Sequence, residues 1–371
     1  MKNGTILQTK INPPDVKENI LRRPILIKKM KAVTNFPLSI IHSGPGYGKT
    51  TALASYIKDQ HIQHIPFSWY SISYTDDDII PFLTYIASAI RKQYSNFGEN
   101  FLAYLESVDR YIRDEEIRTL CSLFVNEIIS TYSLEFILIL DDYHLVQQSP
   151  SIDKWMALLI QNIPPNLHIV ISSRVRPSWN TLTAMKVKGD LLEITQKDLM
   201  FSFDEVEVLL RDSYECELNE TEIEQIFKAT EGWVIAIGMI WQQLSSTGDL
   251  SEVLFNKAQS LDDLFSFLAM EVFQKQPPMI QQFLESTGVF EELTGQLCDD
   301  VLGISGSAAM LENISNKNLF LYSVGNGQYR YHALFKEFLE SQLRTFNDKQ
   351  YRMLHERTGS YYYDSSSLFV I

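Results

Sequence analysis

The chain has 371 residues, 45% of them hydrophobic and 21% charged, enough to bury a core in each of roughly two to four domains and too evenly mixed for a disordered chain. Lys and Arg number 32 against 46 Asp and Glu, and the resulting net charge of −14 argues against a protein whose main surface grips nucleic acid. Apolar runs too short for a membrane span, a start without a signal-peptide core, and three scattered cysteines (Cys121, Cys216, Cys298) lead us to expect a cytoplasmic protein with no membrane contact, disulfide frame or zinc site.

The chain opens with Pro13-Pro14, an extended lead-in, followed by a short helix over 25–30. The basic residues Lys17, Arg22, Arg23, Lys28, Lys29 and Lys31 read as a solvated helix face. The apolar run Leu38, Ile40, Ile41 then leads into Ser43-Gly44-Pro45-Gly46-Tyr47-Gly48-Lys49-Thr50-Thr51 and a helix-forming run. A strand, a glycine-rich turn and Lys-Thr opening a helix is the P-loop arrangement. Its glycines let the backbone fold around phosphate oxygens without Cβ clashes, and the helix N-terminus adds partial positive charge. Lys49 is expected to reach the β- and γ-phosphates and the Thr50 hydroxyl to bind Mg²⁺. The strict pattern wants Gly where this chain has Ser43, a small residue that serves provided its φ is not positive.

Residues 66–72, with Phe67, Trp69 and Tyr70, read as a second strand. Asp76-Asp77-Asp78 opens a helix through Phe82, Tyr85, Ile86 and Ile90, and acids at a helix start are expected to cap it rather than hold a metal. Helices over 101–108 and 115–129 follow. Phe136-Ile137-Leu138-Ile139-Leu140 lacks alternation, as in a strand buried on both faces, and it ends in Asp141-Asp142. Two carboxylates there, downstream of a P-loop, are the Walker B pattern: Asp141 for Mg²⁺, Asp142 for the attacking water. A helix (152–161) and another buried strand (167–171) end in Ser172-Ser173-Arg174, and Arg174 is read either as a γ-phosphate sensor or as a surface arginine. A short edge strand over 191–194 completes a doubly wound α/β domain.

From about residue 196 helical patterns follow one another, at 203–211, 222–230, 233–244, 261–273 and 279–286. Two β-forming stretches flanking Gly325-Asn326-Gly327 make a hairpin, with helices before (308–314) and after it (334–343), which together read as a winged helix. Its recognition-helix position carries Glu312 and few basic residues, so packing is favoured over DNA reading. The fold class is therefore α/β: a P-loop NTPase doubly wound parallel sheet followed by a helical domain and a winged-helix domain.

These motifs together resemble the N-terminal switch of the MalT-type STAND regulators, ATP-dependent activators with a LuxR-type DNA-binding end, over roughly residues 10–345. The resemblance rests on Arg22-Arg23-Pro24, the phosphate loop, Trp69-Tyr70-Ser71-Ile72 with the acidic run, Asp141-Asp142-Tyr143-His144, Ser172-Ser173-Arg174, Gly232-Trp233 with Ala236, and Tyr331-His332-Ala333-Leu334-Phe335. Ser43 is common at its position in relatives. The family implies a lead-in over the nucleotide base (1–30), a nucleotide-binding domain (31–195), a helical domain (196–275), a winged-helix domain (276–345) and the truncated start of a C-terminal helical region (346–371). Carried over by position, Arg23, Ser43, Gly44, Pro45, Gly46, Tyr47, Gly48, Lys49, Thr50, Thr51, Gly232, Trp233 and His332 bind ATP or ADP. Thr50 and Asp141 hold Mg²⁺, and Asp142 and Arg174 are the catalytic pair. His332 is read as a latch onto ADP or as a helix-edge histidine. Related switches place Pro two residues after the counterpart of Gly232, where this chain has Val234. The implied function is a switch with slow hydrolysis, closed with ADP, and opened by ATP and an unknown inducer for self-association, without direct DNA binding by this chain. The alternatives are a P-loop enzyme with a second substrate and an interaction module with a residual nucleotide site.

Overall fold

The computed structural model describes residues 6–15, 21–58, 65–108, 112–131, 134–247, 269–270, 273–317, 319–331 and 333–367. Contacts divide the chain into two bodies, Met1–Ser43 with Gly48–Leu199, and Gly44–Tyr47 with Met200–Ile371.

The first body is a five-stranded parallel sheet of β1 (Leu38–His42), β2 (Phe67–Ser71), β3 (Phe136–Asp141), β4 (Leu167–Ser173) and β5 (Leu191–Ile194), in the order β2-β3-β4-β1-β5. Every residue of β3 and β4 is buried, including His168, Ser172 and Ser173 of β4; helices cover both faces, which explains why 136–140 shows no alternation. Among those helices are α1 (Pro24–Met30), α2 (Lys49–Ile57), α3 (Ile79–Arg91), α4 (Glu99–Ser107), α5 (Asp114–Thr131), α6 (Pro150–Gln161) and α7 (Thr181–Lys188). Trp155 of α6 is fully buried and meets Phe82 of α3 and Phe124 of α5 edge-on, with centroids 6.3 and 5.3 Å away. Because β4 lies between β1 and β3, three neighbouring strand ends carry the phosphate loop, Arg174 and the Asp141-Asp142 pair.

The acidic run divides its labour. Asp78 caps α3, its carboxylate accepting from the Ile80 N–H at 2.9 Å. Asp76 is buried and instead accepts from the Lys10 ammonium at 2.6 and 2.8 Å, which ties the lead-in turn Gln8–Ile11 to the end of β2.

The second body begins with α9 (Phe203–Val208) and α10 (Glu220–Thr230), each opened by a capping box, Ser202 with Glu205 and Asn219 with Glu222. A π turn, Leu209–Ser213, follows α9, and α11 spans Val234–Thr247. The expected helix over 261–273 lies almost wholly outside the described residues. Helices Pro278–Thr287, Gly295–Leu302 and Ser307–Asn316 precede the hairpin of Leu321–Gly325 and Gln328–Tyr331, and Ala333–Phe346 closes the winged helix. Leu293–Thr294 joins the hairpin as a third antiparallel strand, a two-residue element too short to show alternation in sequence. The Tyr331 and Thr287 hydroxyls bond at 2.7 Å inside this core.

Candidate nucleotide site

Beyond β1 the backbone turns through Gly46 (φ 75°) and Gly48 (φ 77°), conformations that L side chains rarely adopt. Gly48 is the residue before α2, so Lys49 and Thr50 head that helix. Ser43 is fully buried and is not among the left-handed residues, so the position tolerates a side chain. Lys49 is only 7% exposed, and its ammonium donates to the Ser43 carbonyl at 2.9 Å and lies 3.5 Å from the Ser43 hydroxyl. Burial lowers its pKa to about 8, opposed by Asp142 and Asp141 and reinforced by Arg174. Thr51, next on the helix, is exposed.

Thr50 Oγ1 donates to Asp141, 2.9 Å from Oδ2 and 3.1 Å from Oδ1. Asp141 is 2% exposed, and burial together with the neighbouring Asp142 raises its pKa, with Thr50 and Lys49 pulling the other way. A hydroxyl and a carboxylate at this separation match neighbouring oxygens around Mg²⁺, which lie about 2.9 Å apart in an octahedron of ~2.1 Å bonds. The donor set therefore fits a phosphate chain on the ammonium and a hard cation between Thr50 and Asp141. Asp142 has a left-handed backbone (φ 62°) that turns the chain into Tyr143–Leu145 and brings His144 Nδ1 within 3.7 Å of its carboxylate. Burial raises the Asp142 pKa, while Lys49 and Arg174 act to lower it, so Arg174 lies within the electrostatic reach of both.

The tip of the loop, Gly44–Tyr47, groups with the second body. There Trp233, 1% exposed, donates its indole N–H to the Pro45 carbonyl at 3.1 Å. Gly232 (φ 73°) precedes it, with its Cα so close to Phe201 that an added Cβ would sit 2.2 Å from the Phe201 carbonyl oxygen. The indole N–H thus meets the loop backbone, a partner that the sequence reading, with Trp233 among the nucleotide-binding residues, did not contain. Arg23 donates to the carbonyls of Leu199 (2.7 Å) and Asp198 (3.2 Å), anchoring the lead-in to the end of α8 (Gln196–Leu199). His332 lies outside the described residues. His42, absent from the sequence reading, sits one residue before the loop. Burial lowers its pKa to about 4 against the pull of Glu193, and its adjacency to Ser43 was the available signal.

Residues 269–351 match the family model of the MalT winged helix domain. The chain is 27% identical over 346 residues to the HTH-type transcriptional regulator MalT of Vibrio cholerae, covering 91% of this chain and 36% of that protein. It is 24% identical over 362 residues to the serine/threonine-protein kinase PknK of Mycobacterium tuberculosis H37Rv, covering 97% of this chain and 32% of that one. The chain thus spans about a third of the length of these relatives. Among solved structures it is similar to the Walker-type ATPase PABY2304 of Pyrococcus abyssi, with a TM-score of 0.59 and 16% identity over 88% of this chain and 98% of the other. Among the described residues no helix is long and apolar enough to cross a membrane. The chain combines a fold similar to that Walker-type ATPase with a region matching the MalT winged helix domain, and it is similar to the MalT regulators.

Proposed function

We propose that the chain is the nucleotide-operated switch of a MalT-like transcriptional regulator, holding ADP or ATP with Mg²⁺ and hydrolysing ATP slowly. The observation that carries this reading is the row of Lys49, Thr50 and Asp141 beyond the ends of β1 and β3, a buried ammonium and a buried carboxylate both held against their preferred solvation. Bound Mg²⁺ would neutralise phosphate charge. Lys49 binds the phosphates, Ser43 to Gly48 wrap them, and Thr50 and Asp141 hold the cation. Asp142 orients the attacking water as its base, and Arg174 faces the terminal phosphate. Arg23 serves the site by fixing the lead-in backbone on the Asp198 and Leu199 carbonyls. His332 is assigned to the ADP latch, so His332→Ala is expected to speed ADP release.

The working cycle is closed with ADP, and opened by ATP and an inducer to self-associate in the cytoplasm. The relatives named as transcriptional regulators support this reading over a stand-alone catalyst. Identification of the nucleotide released on denaturing the purified chain tests it: ADP is expected in near-stoichiometric amount. A protein that neither carries nor takes up adenine nucleotide would overturn it.

A further inference from the structure

Trp233 occupies an unusual position between the phosphate loop and a core of aromatic rings. Its N–H is committed to the Pro45 carbonyl at 3.1 Å, with no solvent to replace the bond, since the residue is 1% exposed. Gly46 lies directly against the indole: an added Cβ would sit 2.7 Å from Nε1 and 3.0 Å from Cε2. Tyr47, 2% exposed, adds a ring 6.3 Å away. Phe320 also meets the indole, edge-on at 6.0 Å, and in turn packs on Phe335 at 5.1 Å, which stacks on Phe338 at 5.9 Å. Phe335 and Phe338 belong to the helix that closes the winged-helix domain. Phe320, just before the first hairpin strand, is itself left-handed (φ 55°), a conformation a bulky residue keeps only where its surroundings over-determine it.

We infer that Trp233 is a positioning residue that couples the phosphate loop to the winged-helix core. The inference rests on the reading of the loop as a nucleotide site. The Pro45–Gly46 peptide cannot reorient around a phosphate without breaking the indole hydrogen bond or carrying the ring with it. Movement of that ring presses on Phe320, which packing holds in its left-handed turn. Coupling between sites is reciprocal, so a change at Phe320 alters nucleotide affinity although Phe320 is not part of the loop.

The test is a double-mutant cycle read by calorimetric titration with Mg-ADP. Trp233→Phe keeps an aromatic ring and removes the N–H, and Phe320→Leu keeps apolar bulk. Each is expected to weaken ADP by about fivefold or more, the lower end of typical allosteric coupling, and the double variant is expected to be no weaker than Trp233→Phe alone. Phe335→Leu, one contact further along, is the second probe should Phe320→Leu fail to fold, with thermal unfolding as the check on each. Hydrogen exchange across 321–331 is expected to slow on adding Mg-ADP to the wild type and not to Trp233→Phe, a response that loss of packing alone would not select. Unchanged affinity in Phe320→Leu and Phe335→Leu, or strictly additive losses, would overturn the coupling while leaving the nucleotide site standing. A wild-type protein that binds no ADP would remove both.

Discussion

A lysine ammonium buried at 7% exposure gives up most of its hydration, and the Ser43 carbonyl at 2.9 Å and hydroxyl at 3.5 Å are neutral groups that replace only part of it. Lys49→Ala is therefore expected to abolish Mg-ADP binding in a titration while leaving the thermal midpoint nearly unchanged, because the lost hydrogen bond and the relieved desolvation offset each other. Asp142→Asn should keep binding and slow hydrolysis, as measured by phosphate release. Lys10 and Asp76 illustrate the opposite balance. Burial pushes the Asp76 pKa up, but the Lys10 ammonium and the Ser73 N–H outweigh it and hold the carboxyl below its ordinary value. A depressed folded pKa stabilises fully above the unfolded value near 3.8, and that contribution is lost as pH falls through the folded value. Asp76→Asn should cost about 3 kcal/mol in urea unfolding at neutral pH and flatten the acid limb of stability. A variant with wild-type acid sensitivity would show that the pair contributes nothing. The three consecutive acids could be read from sequence as capping residues, and Asp78 is one. That Asp76 serves Lys10, 66 residues away, could not be read, because no local pattern names a partner at that distance.

Element by element, legibility follows how local the cause is. The boxes Ser202/Glu205 and Asn219/Glu222 satisfy backbone donors within one helical turn, so their spacing announces the starts of α9 and α10. The buried runs of β3 and β4 announce a parallel sheet for the same reason. The strand Leu293–Thr294 and the π turn Leu209–Ser213 carry no such signal, since each exists through what it packs against. Gly232 offers a test at this scale. An alanine there would have to adopt φ 73° and place its Cβ 2.2 Å from a backbone oxygen, so Gly232→Ala should cost well over the ~1 kcal/mol of a left-handed residue alone. Ser202→Ala, which removes only a cap, should cost about 1 kcal/mol. Denaturant midpoints of the two variants decide the ranking. Equal losses would mean the Phe201–Gly232 approach relaxes freely.

For the whole molecule, a switch whose ATP state must persist should turn over far below the enzyme median of about 10 s⁻¹ in a steady-state assay. Rapid turnover would return the chain to the class of enzymes with a second substrate. A net charge of −14, with Glu312 and no Lys or Arg in Ser307–Asn316, leads us to expect no salt-sensitive, sequence-specific gel shift from this chain alone. The sequence by itself determined the fold class and the placement of Lys49, Thr50 and the Asp141-Asp142 pair beyond strand ends, because a glycine turn, a helix N-terminus and an apolar strand ending in carboxylates are geometries set within a few residues. Tertiary structure alone decided the strand order that places β4 between β1 and β3, and the partnership of Trp233 with Pro45, 188 residues away. The hydrophobic effect that buries an indole is non-directional: composition says that Trp233 will be inside, and only the folded topology says against what.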